Sequence, residues 1–314
     1  MTAIPHGMSK PFHLAATALL ASLIAGCSAV ASVAGPSTDP SRPEPSARAT
    51  NSQGSSAFPI VSPFASLSGY LKNRAGQITA ALYDRRTRKT WLFNRGVRQD
   101  TASIVKVEIM GTALWQAQQG RPLSAAERAL LRTMIENSDN DAATTLLADV
   151  GGPSAVQRFD RRAGLHDTTL SRLRYIPGTT WPGWGLTTTT AFDEVRLVSR
   201  FAYPNSVLTT ASRRYGLNLM EHVESDQAWG VSGGNYGALS GATVALKNGW
   251  LPHNVAANSD WQINSIGRVS GHGRDYVLAV LTNHNPTSSY GIETIDTIAR
   301  RIYSQLGARS GFGT

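Results

Sequence analysis

Ser103 and Lys106, within Thr101-Ala102-Ser103-Ile104-Val105-Lys106, are the pair whose types and spacing could do chemistry. A serine hydroxyl is a poor nucleophile at neutral pH, so it needs a base within hydrogen-bond reach and positive potential nearby. Val107 to Trp115 carry apolar side chains at helical spacing, so the stretch reads as the first turn of a buried helix. Three positions apart on that turn, Ser103 and Lys106 share a face, where the lysine can act as base and the helix N-terminus adds potential. Ser-x-x-Lys occurs by chance in many chains and then marks only a solvated helix start. Two later stretches supply what it lacks. Ser138-Asp139-Asn140 falls in a break between helices, where a hydroxyl and an amide can project into a cleft. Lys247-Asn248-Gly249 ends a strand, where a cation can face that cleft and the glycine lets backbone approach a ligand.

The elements that must hold these residues follow from periodicity and turn chemistry. Residues 64 to 74 read as a short helix. Gln77 to Tyr83 and Thr90 to Asn94 read as two strands of a hairpin closed by the charged turn Asp84 to Arg88. The Ser103 helix ends near Gly120, and a second opens at Ser124, with Glu127 completing a capping box, and runs to Ile135. After the Asn137 to Asn140 break, Ala142 to Val150 is the next helix. Residues 168 to 190 are irregular, rich in Thr, Trp, Pro and Gly, and Thr187 to Thr190 then start a helix that includes Asp193 to Phe201. Thr243 to Lys247, Trp261 to Val269 and Tyr276 to Thr282 are strands, and an amphipathic helix from Ile292 to Leu306 follows. Strands, a helical block, then strands and a helix predict a mixed α/β (α+β) fold, an antiparallel sheet built from both ends of the domain with an all-helical lobe at about 101–230 inserted between them.

In order and local context, the three motifs resemble those of the penicillin-recognising serine acyl-enzyme family, Ser-x-x-Lys, Ser-Asp-Asn and Lys-Thr-Gly, and in particular the class A β-lactamases. The resemblance covers roughly residues 62 to 308, including Met134 to Ala143. It implies Ser103 as the acylated nucleophile, Lys106 as its base or proton relay, and Ser138 as the group passing a proton to the leaving nitrogen. Asn140 would hold Lys106 and the substrate amide, and Lys247 would attract a substrate carboxylate. The oxyanion hole would be the backbone N–H groups of Ser103 and of Trp250, which follows Gly249. It implies no metal and no organic cofactor, and a substrate that is a β-lactam, a D-alanyl peptide or an ester.

The chain also departs from that family. Asn248 replaces a hydroxyl residue; its amide could still donate to a ligand carboxylate. The interval from Ser103 to Ser138 is short, which implies an open cleft. Class A enzymes place a glutamate in the irregular loop before the Thr-rich helix start, where it activates the deacylating water; residues 168 to 192 contain no Glu or Asp and present Tyr175, Trp181 and Trp184 instead. A slowly hydrolysed acyl-enzyme is expected, and a lipoprotein that binds or senses cell-wall peptides or β-lactams without turnover is the alternative.

Composition sets the setting. With 41% hydrophobic and 16% charged residues, the chain has the make-up of an ordinary folded domain. Lys10 precedes an apolar run from Leu14 to Ile24, too short to span a bilayer as a mature helix, and the run ends in Ile24-Ala25-Gly26-Cys27. This resembles a lipobox, so 1–26 reads as a lipoprotein signal peptide with Cys27 as the lipidated residue; Met8 is an alternative start. Residues 27–61, dominated by Ser, Ala and Pro, form a tether, and 62–314 the hydrolase-like domain. The expected location is outside the cytoplasmic membrane of a bacterium, lipid-anchored, as a monomer. Cys27 is the only cysteine, which excludes an internal disulfide and a cysteine metal site. The formal charge is +9, of which Lys10 leaves with the signal peptide; scattered arginines without a basic, aromatic-interleaved block argue against nucleic acid.

Other readings of the catalytic residues fare worse. Gly230-Val231-Ser232-Gly233-Gly234 matches a nucleophile elbow, with Asp260 or Asp275 and His284 in suitable order, but lacks a buried strand before it and a helix after it. The seven histidines show no metal spacing; His272 and His284 read as loop residues, and His253 as a solvated one near the third motif.

Overall fold

The computed structural model describes residues 61–308, apart from 236 and 255–256; the expected signal peptide, Cys27 and nearly all of the tether lie outside the described residues. Five antiparallel strands form the main sheet: β1 (Gln77–Asp84), β2 (Lys89–Phe93), β5 (Thr243–Asn254), β6 (Ser259–Gly271) and β7 (Arg274–Asn285). Their order is β2-β1-β7-β6-β5, so β1 lies against β7, with Ile78 opposite Thr282 and Leu82 opposite Leu278. This is the expected sheet, built from both ends of the domain.

β7 is buried on both faces, and its side chains divide by the two-residue period. Tyr276, Leu278 and Val280 join one core with α1 (Ser68–Lys72) and α8 (Ser288–Ala308). Val277, Ala279 and Leu281 join the other, under the helical layer. That layer comprises α2 (Lys106–Ala117), α3 (Ala125–Glu136), α4 (Asn140–Asp149), α5 (Gly152–Ala163), α6 (Ala191–Ala202) and α7 (Thr210–Glu221). α2 is the central rod, buried from Lys106 to Leu114; Gly111 lets it approach α5, since a Cβ there would lie 2.4 Å from the Phe159 ring. Among the described residues, no helix is long and apolar enough to cross a membrane.

Several boundaries differ from the sequence expectation. The Ser103 turn is a 3-10 turn, Ala102–Val105, that runs into α2. Thr188–Thr190 form a short strand, β4, paired with β3 (Arg98–Asp100), rather than a helical turn; only Thr190 serves the helix, capping α6 by accepting from Asp193 N–H. α4 begins at Asn140, because Asp139 is its cap and accepts from the N–H of Ala142. α5 and α7 were not read from the sequence, and α8 starts at Ser288 instead of Ile292. The capping box at Ser124 and Glu127 is present as expected, with both reciprocal bonds formed.

Three acids sit inside this layer: Glu108 on α2, Asp160 on α5 and Glu194 on α6, each with no accessible surface. Burial holds all three carboxyls above the usual carboxylate range, and neighbouring acids add to it, Glu194 and Asp160 at Glu108, Glu194 and Asp193 at Asp160, and Asp193 at Glu194; Asp160 and Glu194 are pushed up to about 8. The folded protein therefore keeps protons that the unfolded chain releases between the ordinary carboxylate range and about pH 8, and stability falls as pH rises through that window. Urea unfolding should show a decline from pH 5 to pH 7 on the order of 1 kcal/mol per pH unit. Glu194→Gln should flatten that slope; a slope that is zero or of opposite sign in the parent protein would show that these acids ionise without penalty.

Candidate active site

The chain enters Ser103 on strained backbone. Ala102 has φ 47°, a left-handed conformation that a side chain disfavours, and Ser103 follows as the chain turns into α2. A buried amide network that the sequence reading missed holds this entry in place. Asn264 Nδ2 donates to the carbonyls of Asp100 (2.8 Å) and Thr101 (2.9 Å), while Gln262 Nε2 donates to Asn264 Oδ1 (2.7 Å) and Gln99 Oε1 (3.0 Å). The available signal was a pair of amides, Gln262 and Asn264, two apart and so on one face of a strand, between the apolar Trp261, Ile263 and Ile266. Thr101 N–H donates to the Thr187 carbonyl at 2.7 Å, which ties the same entry to the end of the irregular loop.

Lys106 Nζ is the hub. It lies 3.1 Å from Ser103 Oγ, 2.6 Å from the Ser138 carbonyl, 3.1 Å from Ser138 Oγ and 2.8 Å from Asn140 Oδ1. The lysine is fully buried, and the ring of Trp184 stands 5.0 Å from its nitrogen. Desolvation, helped by the charge of Lys247, holds Lys106 well below the usual ammonium range, against a weaker opposing pull from Asp139. A buried amine of this kind is available as the free base that a serine needs.

Ser138 also stands on left-handed backbone, at φ 55°, between the end of α3 and the cap of α4. Its loop is pinned from behind: Gln227 Nε2 donates to the Asn137 carbonyl at 2.9 Å, and Asn137 Nδ2 donates to Glu224. Lys247 Nζ reaches Ser138 Oγ at 2.8 Å from β5 and donates to the Asn248 carbonyl at 3.0 Å. Lys247 is completely buried, which lowers its pKa to about 7. Gly249 is required by contact, because a Cβ there would lie 2.7 Å from the Thr101 carbonyl oxygen and 2.8 Å from the Ser103 nitrogen. β5 thus runs against the backbone of Ser103, with Trp250 on the rim of the cleft.

Asn248 does not fit the ligand role expected for it. Its Nδ2 donates to the carbonyls of Gln227 (2.7 Å) and Trp229 (3.0 Å), so both amide hydrogens are committed to the loop behind β5. Ser103, Lys106, Ser138, Asn140, Lys247, Gly249 and Trp250 are brought together; Asn248 supports them from the far side.

The cleft over Ser103, about 590 Å³ and open to solvent, is floored by Ser103, Ser138 and Asn140 and walled by Ile176, Trp181 and Trp184. Trp184 is fixed by an Nε1–H bond to Thr144 Oγ1 at 3.1 Å. Asp193, the acid that follows the irregular loop, is turned to structural work: its Oδ2 accepts from Asp167 N–H and Thr168 Oγ1, and its Oδ1 lies 3.4 Å from Arg196.

The other candidates separate. Ser232 is buried and donates to the Ala228 carbonyl at 2.6 Å, so it is no exposed elbow nucleophile. His284 pairs with Asp260 at 2.7 Å, and Asp275 accepts from Tyr203 and Arg268. His272 lies in the β6–β7 turn and His253 is exposed at the end of β5, its ring 6.2 Å from that of His284. No group of three or more metal-ligating side chains occurs among the described residues.

Comparison with known proteins gives a consistent picture. A sequence model of the beta-lactamase enzyme family matches residues 123–306, a span that holds Ser138, Asn140 and Lys247 and begins after Ser103 and Lys106. A beta-lactamase of Streptomyces fradiae is 30% identical over 135 residues, which is 39% of this chain and 44% of that protein, so the match spans less than half of the curated relative. Among solved structures, a class A beta-lactamase from Bacteroides cellulosilyticus superimposes with a TM-score of 0.65 at 18% identity, covering 78% of this chain and 97% of that one. One from Mycobacterium abscessus gives 0.63 at 22% identity over 78% of this chain and 100% of the other. At these identities the likeness establishes the fold. With the fold, the family match and the Ser138, Asn140 and Lys247 arrangement in agreement, the chain belongs to the beta-lactamase enzyme family.

Proposed function

We propose that the protein is a serine hydrolase that forms an acyl-enzyme on Ser103 with a β-lactam or D-alanyl peptide and releases it slowly. The observation that carries this is the buried Lys106 amine, 3.1 Å from Ser103 Oγ and depressed by desolvation. Lys106 takes the Ser103 proton as Oγ attacks the carbonyl carbon, and a C–O bond forms. The developing oxyanion is held by the N–H groups of Ser103 and Trp250, each worth about 3 kcal/mol if they act as such donors usually do. The C–N bond then breaks, and Ser138, hydrogen-bonded to both lysines, passes the proton to the leaving nitrogen. Lys247 attracts the substrate carboxylate, and Asn140 holds Lys106 and the substrate amide.

Deacylation needs a water activated by a base. The wall facing Ser103 is Ile176, Trp181 and Trp184, and residues 168–192 offer no carboxylate. That supports a long-lived adduct. The same feature suits the alternative, a receptor that binds cell-wall peptides or β-lactams without turnover. The leader supports attachment of the mature protein to the outer face of the bacterial membrane through a lipid on Cys27.

Intact mass of the domain after brief and after prolonged incubation with a penicillin should show an adduct on Ser103 that persists for hours. Drug loss without an accumulating adduct would sink slow deacylation, and binding to Ser103→Ala with no adduct on the parent protein would establish the receptor. Because Lys247 loses its proton near pH 7, acylation by a carboxylate-bearing β-lactam should decline several-fold from pH 7 to pH 9 while that by an uncharged ester does not. Parallel profiles for the two would remove Lys247 from carboxylate recognition. The full chain made in bacteria should partition with membranes, and Cys27→Ala should release it to the soluble extracytoplasmic fraction; unchanged partitioning would refute the lipid anchor.

A further inference from the structure

The outer face of α5 carries cations without counter-charges. Arg158, Arg161 and Arg162 share one arc of the helix, on the side opposite the buried Val156, Phe159, Asp160 and Ala163, and all three are exposed. Among the described residues none of these guanidiniums donates a hydrogen bond or forms an ion pair. The first stretch of the irregular loop is laid along the same helix. Gln157 Nε2 donates to the Thr168 carbonyl at 3.0 Å, Gln157 Oε1 accepts from Leu170 N–H at 3.0 Å, and Arg172 Nη2 donates to Ser154 Oγ at 3.3 Å. Arg172 is thereby seated one turn before Arg158, and the row from Ser154 to Arg162 is about 12 Å long. Between Val150 and Phe192 the arginines 158, 161, 162, 172 and 174 are all exposed, and Asp167 is the only exposed acid, so the face presents a positive field that the protein does not neutralise.

Apolar side chains stand among these cations. Leu173 and Tyr175 keep 51% and 47% of their surface open to solvent, and they alternate with Arg172 and Arg174, whose guanidinium lies 5.1 Å from the Tyr175 ring. A soluble polyanion would neutralise the arginines and leave that apolar surface in water. A bilayer interface takes both. Headgroup phosphates pair with the guanidiniums, while a leucine and an aromatic ring enter the boundary between headgroups and acyl chains.

We infer that α5 and the Arg172 to Tyr175 stretch form a docking face for the anionic phospholipid headgroups of a bilayer. The face needs neither acylation at Ser103 nor a lipid on Cys27. Residues 57–314 form one compact unit that holds both cores, so this unlipidated stretch tests it directly. In about 0.1 M salt, co-sedimentation with phosphatidylcholine vesicles containing about one-third phosphatidylglycerol should exceed that with pure phosphatidylcholine by about tenfold or more, and it should fall several-fold in about 0.5 M salt. Arg158→Glu with Arg162→Glu should bring binding to within about threefold of the neutral vesicles. Arg128→Glu with Arg132→Glu, the same change of charge at exposed positions on α3, should leave most of it. Leu173→Ala with Tyr175→Ala should weaken it several-fold and leave its salt dependence unchanged. Equal binding to the two kinds of vesicle, or an equal loss from the two arginine pairs, would overturn the docking face. Binding that ignores Leu173→Ala with Tyr175→Ala and is matched by inorganic polyphosphate would make this a site for soluble polyanions and overturn the bilayer assignment.

Discussion

The dehydrated amine of Lys106 is the constraint on which the site depends. An ammonium taken out of water without a partnering carboxylate favours its neutral form, and four oxygens from Ser103, Ser138 and Asn140 are arranged around this one. Burial of α2 on every side makes that possible, because a lysine at its first position has nowhere to reach solvent. Removing water from Lys106 and packing the helical layer are therefore one event. The same burial at Lys247 gives a second depressed amine, and the two share Ser138 Oγ.

Holding such a site demands a frame stiff enough to enforce unfavourable local geometry. Ala102, beside Ser103, and Ser138 both occupy left-handed backbone without being glycine, at about 1 kcal/mol or more each. The frame meets that cost with bonds that run between distant segments. Asn264 fixes the carbonyls before Ala102, and Gln227 together with Glu224 fixes the loop of Ser138. Asn248 belongs to this frame, since its amide ties β5 to the segment that carries Gln227 and Trp229.

What was legible in the sequence was what short-range chemistry dictates. The β1–β2 hairpin, the capping box at Ser124, the helix following Ser103 and the buried strands β5 to β7 were each announced by period and cap. The order of the three motifs was enough to bring Ser103, Lys106, Ser138, Asn140 and Lys247 together. The missed parts depend on partners far along the chain. Arg98 to Asp100 and Thr188 to Thr190 are strands only because they pair with each other. α5 is the exception: Val156, Phe159 and Ala163 lie at helical spacing between Pro153 and Gly164, a stripe that the sequence itself carries. At Asn248 the residue type allowed a ligand contact, and only the position of two carbonyls behind it shows where its hydrogens go.

The strand order has a consequence in time. Ser103 and Lys106 are synthesised long before β7, yet β7 is the strand that joins β1 to β6 and so sets β5 beside Ser103. Contacts of such long sequence separation close late in folding. Throughout elongation, then, the serine has its neighbouring lysine but neither Lys247 nor the backbone of Gly249 against it. The cluster around Ser103 is therefore whole only once the sheet is closed.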